Sequence, residues 1–208
     1  EVTVHNSGNG MLVTVKSGLE YMHFIFSTQV ENFDYDRMPV STSEESKLLY
    51  IGCTDRETDY LSEVFISQFN PETTVATKYV KKMWDSDGKA FPENTIISDE
   101  HKLKMNDKIE VTTVDTYILS CAIMDLCGKK VALLYRGDID TVIDRYGEPD
   151  MLVTTKAEYS GYDNISTVVI SSDSDIIFNR QLLEMKSKNE NVYVTAERGT
   201  LTINLREI

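Results

Sequence analysis

Leu48-Leu49-Tyr50-Ile51 is followed closely by Thr54-Asp55-Arg56-Glu57-Thr58-Asp59-Tyr60. The apolar tetrad has no polar face, which is the pattern of a parallel strand covered on both sides. Thr54 is a candidate N-cap, since its hydroxyl can accept from a first-turn N–H. Leu61, Val64, Phe65 and Gln68 recur at helical spacing and predict a helix over about 57–69, with Pro71 just past its end. A buried strand leading into such a helix is the unit from which layered α/β folds are built.

Upstream of this unit, residues 2–4, 11–16 and 21–26 read as strands, separated by a tight loop at Gly8 and Gly10 and by the Ser17-Gly18 turn. Residues 31–47 are polar, contain Pro39, and read as a long surface excursion. Downstream, 74–76 and 95–98 predict short strands around a helix over 78–84. Segments 108–114, 116–126 and 129–135 are strongly β, with Gly128 turning between the last two. A helix over 139–146, strands over 150–154 and 167–171, and a helix over 179–188 follow. Residues 191–195 and 200–205 predict a closing hairpin around Arg198-Gly199. The order predicts an α/β (α+β) fold with helices outside two packed sheets, formed as one domain over 1–208 from two roughly similar βα halves.

The formal charge of −13, from 34 acidic against 21 basic residues, repels polyanions and disfavours nucleic acid as a partner. Lys78, Lys81, Lys82 and Lys186, Lys188 read as solvated faces. No apolar run of about 18 residues and no basic-then-apolar start occurs, so neither a membrane span nor a signal peptide is expected in this segment. Membership of a longer membrane protein stays open. Cys53, Cys121 and Cys127 lack metal-knuckle spacing. The last two fall in one predicted strand, where six residues span roughly 20 Å, too far for a bridge. Three buried thiols are expected.

Five segments in order resemble the metallo-β-lactamase superfamily, specifically the soluble domain of ComEC-type competence proteins, over nearly the whole chain. Asn6-Ser7-Gly8-Asn9-Gly10-Met11 is similar to that family's Asp-Val-Gly-Gln-Gly-Asp, with both glycines kept and both acids lost. The 54–60 stretch resembles Thr-His-x-His-x-Asp-His, with Asp55, Glu57 and Tyr60 at histidine positions and Asp59 retained. Arg136-Gly137-Asp138-Ile139 resembles the Thr-Gly-Asp-Ile that carries a metal-bridging aspartate. In the fourth segment a strand over 150–154 leads to Lys156 and Ala157 in place of two histidines. The fifth is a strand and turn over 170–179 that lacks the family's histidine.

The resemblance implies a four-layer αββα metallo-β-lactamase-like sandwich with a relic metal site at Asp55, Glu57, Asp59, Tyr60, Asp138 and Lys156. A dinuclear zinc hydrolase needs several imidazoles to hold its ions and generate a bound hydroxide. None of the three histidines, His5, His23 and His101, falls on a motif position. His5 and His23 are expected to be structural strand residues and His101 to lie on the surface. The expectation is therefore a domain without catalytic metal, acting as a structural or interaction module, in which Lys156 neutralises a relic carboxylate. Its partner would be an unidentified protein or the membrane-embedded remainder of a longer chain, and its location extracytoplasmic, with the cytoplasm open as an alternative. The competing expectation is a residual phosphodiesterase or nuclease holding Mg²⁺, Mn²⁺ or Ca²⁺ on Asp55, Glu57, Asp59 and Asp138. A third is a ligand pocket in the vacated cleft, lined by Tyr60 and Tyr159. No nucleophile elbow, phosphate loop or dinucleotide fingerprint is present, and Cys53 has no histidine base at a motif position.

Overall fold

The structure, a computed structural model, describes residues 1–7, 10–26, 45–52, 59–106, 109–126, 128–157, 162, 164–172, 174–189 and 191–208. The first part of the chain forms β1 (Val2–His5), β2 (Met11–Ser17), β3 (Glu20–Phe26), β4 (Glu45–Ile51), α1 (Asp59–Phe69), β5 (Thr73–Ala76), α2 (Lys78–Ser86) and β6 (Thr95–Ile97). The second forms β7 (Glu100–Asn106), β8 (Ile109–Asp115), β9 (Ser120–Leu126), β10 (Lys129–Arg136), α3 (Ile139–Tyr146), β11 (Met151–Thr154) and β12 (Thr167–Ile170). It ends with α4 (Arg180–Lys188), β13 (Val192–Val194), α5 (Thr195–Arg198) and β14 (Leu201–Ile203).

Two sheets result. In the first, β14, β1, β2 and β3 are antiparallel and β3, β4, β5 and β6 parallel. In the second, β7 to β10 are antiparallel and β10 to β13 parallel. Strand alternation decides the layers, because successive side chains point to opposite faces. Val13, Phe24, Leu48 and Tyr50 from one sheet meet Val111, Met124, Leu133 and Val153 from the other. On the outer side Leu12, Ile25, Leu49 and Ile51 receive Leu61 and Phe65 of α1 with Val80 and Trp84 of α2. Behind the second sheet Ala132, Leu134, Leu152 and Ile170 receive Ile139 and Val142 of α3 with Leu182 and Met185 of α4. Burying a Leu, Ile or Phe contributes about 1.5–3 kcal/mol, so the apolar runs of β4 and β10 favour cover on both faces. The architecture is the expected four-layer αββα sandwich.

Three expectations are corrected. Residues 191–195 and 200–205 do not form a hairpin: β13 extends the second sheet beside β12, while β14 joins the first beside β1. Gly199, at φ 75°, ends the single turn of α5, its N–H donating to Thr195 O at 2.7 Å. The turn signal was a helix C-cap, a role glycine fills equally well. Second, Glu100–Asn106 is a strand, and His101 is half-buried within it rather than on the surface. Third, β9 starts only at Ser120, because Thr116 closes a turn: its N–H donates to Leu119 O at 2.7 Å and its hydroxyl accepts from Leu119 N–H at 3.1 Å. Cys121 is buried and its thiol is pushed up to about 12 by that burial. Cys53 and Cys127 lie outside the described residues.

Candidate functional site

The C-terminal ends of the parallel strands meet at one end of the sandwich, where open α/β folds place their ligands. Three contacts bring the ends together. The Phe26 ring of β3 stacks on Tyr135 of β10 at 5.9 Å between centroids and lies 5.2 Å from Tyr50 of β4. Ser171, one residue past β12, donates its hydroxyl proton to Gly10 O at 2.8 Å across the sandwich. Gly52 follows β4 so closely over this aromatic group that a Cβ there would fall 2.8 Å from Phe26 Cδ1 and 3.0 Å from Tyr50 Cε1. Phe26, Tyr50 and Tyr135 thus close the core at this end of the sandwich.

The predicted positions gather at this end as far as they are described. Asp138 follows β10, and Lys156 follows the adjacent parallel strand β11. Asp59 and Tyr60 open α1, which leads from the C-terminal end of β4 back to the start of β5. Asp55, Glu57 and Tyr159 lie outside the described residues. Lys156 is exposed, its backbone N–H donating to Thr154 Oγ1 at 3.3 Å.

Asp138 has work of its own. It is the N-cap of α3: Oδ1 accepts from Thr141 N–H at 2.9 Å and from the Thr141 hydroxyl at 3.1 Å. A cap removed to alanine loses about 0.5–2 kcal/mol, whereas asparagine caps as well as aspartate. Asp138→Ala is therefore expected to lower stability by about 1 kcal/mol and Asp138→Asn to leave it within a few tenths, measured by urea unfolding. Equal losses in the two variants would show that the charge, not the cap, holds this position. Beside it Arg136 Nη2 donates to Asp115 Oδ1 at 2.9 Å and to Thr116 O at 2.7 Å. Burial raises the Asp115 carboxyl above the ordinary carboxylate range, against the Ser120 hydrogen bond and the Arg136 charge.

Sequence reasoning missed a hydrogen-bonded histidine pair. His5 Nε2 lies 2.9 Å from Thr14 Oγ1, and Thr14 Oγ1 lies 3.2 Å from His23 Nδ1, all buried on the outer face of the first sheet. Strand pairing places them: Thr14 stands opposite His23 in the β2–β3 register and opposite Thr3, two residues before His5, in β1–β2. Burial lowers His5 to about 4; for His23 burial, then the charge of His5, lowers it to about 3. The equal spacing of nine residues between 5, 14 and 23 was the available signal, readable once both hairpins are paired.

The described donors do not fit a dinuclear zinc centre. Among the described residues no three His, Cys, Asp or Glu side chains converge on one point. The three imidazoles stand elsewhere, two in the buried chain and His101 on β7.

Comparison with solved structures shows that this fold is metallo-β-lactamase-like. The chain is similar to the metallo hydrolase Igni18 from the hyperthermophilic archaeon Ignicoccus hospitalis, with a TM-score of 0.60 and 13% identity over 98% of this chain and 99% of that one. It is similar to human tRNase Z, short form, with a TM-score of 0.62 and 8% identity over 98% and 99%. The metallo-β-lactamase fold protein YhfI from Bacillus subtilis gives a TM-score of 0.56 and 10% identity over 93% and 96%. At these identities the likeness is one of fold. No protein-family model and no curated protein matches the sequence.

Proposed function

We propose that this chain is a metallo-β-lactamase-fold domain that does not work as a zinc hydrolase and serves as a structural or interaction module, as the resemblance to ComEC-type soluble domains implies. The observation that supports this reading most is the disposition of the imidazoles: His5 and His23 are committed to a buried hydrogen-bonded chain, away from Asp138. A zinc pair draws on several neutral imidazoles, and the motif positions carry Asp55, Glu57, Tyr60 and Lys156 instead. Its partner under this reading is a protein, or the membrane-embedded remainder of a longer chain outside the cytoplasm. No helix among the described residues is long and apolar enough to cross a membrane.

Calorimetric titration with Zn²⁺, Mn²⁺ and Mg²⁺, paired with a phosphodiester-hydrolysis assay, tests it. The expected result is no stoichiometric binding and no turnover above background. A one-to-one Mn²⁺ or Mg²⁺ isotherm that disappears in both Asp138→Ala and Asp138→Asn would establish the carboxylate-site phosphodiesterase instead, because asparagine keeps the cap but loses the charge.

A further inference from the structure

We propose that the His5–Thr14–His23 chain is a proton-operated latch for helix α1, and through α1 for the wall of the cleft that begins at Asp59 and Tyr60. His23 is the hub of a three-ring cluster with the helix. Its ring meets Phe65 edge-on at 5.1 Å and stacks on Phe69 at 5.2 Å, and the two phenylalanines meet each other at 5.1 Å. With Leu61 and Phe65 fully buried, this cluster is where α1 grips the sheet.

Neutral imidazoles suit the chain. Thr14 has one hydroxyl proton and can donate to one ring while accepting from the other, so both bonds are made in either direction with no charge present. His23 Nε2 is left buried and makes no hydrogen bond among the described residues. A proton added to His23 creates a cation whose Nε2 is buried from solvent. Stacking on phenylalanine returns some cation–π attraction, while desolvating an ion costs more. The desolvation wins unless a carboxylate compensates.

Among the described residues no carboxylate acts on His23, and Tyr21 of β3 stacks beside it at 6.2 Å. Lys16 of β2 lies over the Tyr21 ring at 5.1 Å. Lys47 of β4 pairs with Glu72 at 2.7 Å, and Glu63 of α1 pairs with Lys89. The charge that acts on His23 is that of His5, of the same sign. Acid relieves this state most readily by letting α1 lift, which wets His23 while the rest of the sandwich stays closed. α1 opens at the cleft end, so the movement displaces Asp59 and Tyr60 relative to Asp138.

Amide hydrogen exchange at pH 7 and pH 5, corrected for intrinsic rates, tests the latch in the whole chain. Wetting one imidazole that is buried when α1 is docked should cut protection by about twentyfold over this interval. The expected result is that loss in α1 through an opening smaller than global unfolding, with α3 and α4 on the opposite sheet losing protection only where their amides exchange through global unfolding. His23→Phe, which keeps a three-ring cluster without a titratable nitrogen, should abolish the response of α1, and His5→Gln should leave most of it. An α1 that exchanges only through global unfolding, or that keeps its protection at pH 5, overturns the proposal, as does a full response in His23→Phe. Should that variant not fold, the exchange map of the unaltered protein decides alone.

Discussion

Lowering the pH from 7 to 5 is expected to remove about 4 kcal/mol of folding free energy, about 2 from each of His5 and His23. Both folded values, about 4 and about 3, lie below the ordinary 6.5. Below pH 6.5 the unfolded chain therefore binds more protons than the folded one, and stability falls with pH. The slope approaches about 1.4 kcal/mol per pH unit for each histidine, and each contribution levels off only below its folded value. Asp99 and Asp150, whose carboxyls are held low by Lys78 and by Lys130 with Lys129, act in the same direction, but only near and below the ordinary carboxylate range. The window from pH 7 to 5 thus reports chiefly the imidazoles, with the raised Asp115 carboxyl acting in the opposite direction. Against a typical stability of about 5–15 kcal/mol, a loss of this size is large. Urea unfolding at pH 7, 6 and 5 measures it, and His23→Phe should halve the slope. Unchanged free energies at pH 7 and 5 would show that the pair is not held neutral by the fold.

Gly137→Ala is expected to lose roughly 2–6 kcal/mol, from two separate sources. Its φ of 108° is one that side chains rarely adopt, worth about 1–3 kcal/mol. A Cβ would also fall 2.8 Å from Leu119 Cδ1 and 3.0 Å from Ile118 O, and overpacking of that kind costs about 1–3 kcal/mol. Gly128 is the control: its φ is 81° but nothing lies within 4 Å of a Cβ, so Gly128→Ala carries only the conformational share. Urea midpoints compared at equal slope separate the two. If the alanines cost the same, the contact with the Thr116–Leu119 turn is not tight and the path of the chain into α3 has some other cause.

Apolar runs made much of this fold readable. Parallel strands buried on both faces leave no polar residue to confuse the pattern, which is why 48–51 and 131–134 point directly to β4 and β10. The helix expected over 139–146 stands at α3, with Asp138 as its cap. β7 was not legible because it is an edge strand: Lys102 and Lys104 are exposed and alternate with half-buried His101 and Leu103, a charge pattern that keeps edges from pairing. The closing hairpin failed because a glycine in the left-handed region ends a helix as readily as it turns a strand. At the candidate site, sequence placed Asp138 between a strand and a helix, where it stands after β10 as the cap of α3. It did not give the partner of its carboxylate, because Thr141 is as ordinary a neighbour as any, and it treated His5 and His23 singly. Their connection through Thr14 depends on register, a property of paired strands that neither strand carries alone.

β1 lies between β2, its neighbour in sequence, and β14, whose Ile203 pairs with Val2. On a ribosome the first sheet consequently spends most of the synthesis time one strand short. β1 presents bare amide groups to other nascent chains until the second sheet has been translated and α5 has carried the polypeptide back. Contacts that span nearly the whole chain are slow to form, and exposed strand edges at that stage invite aggregation.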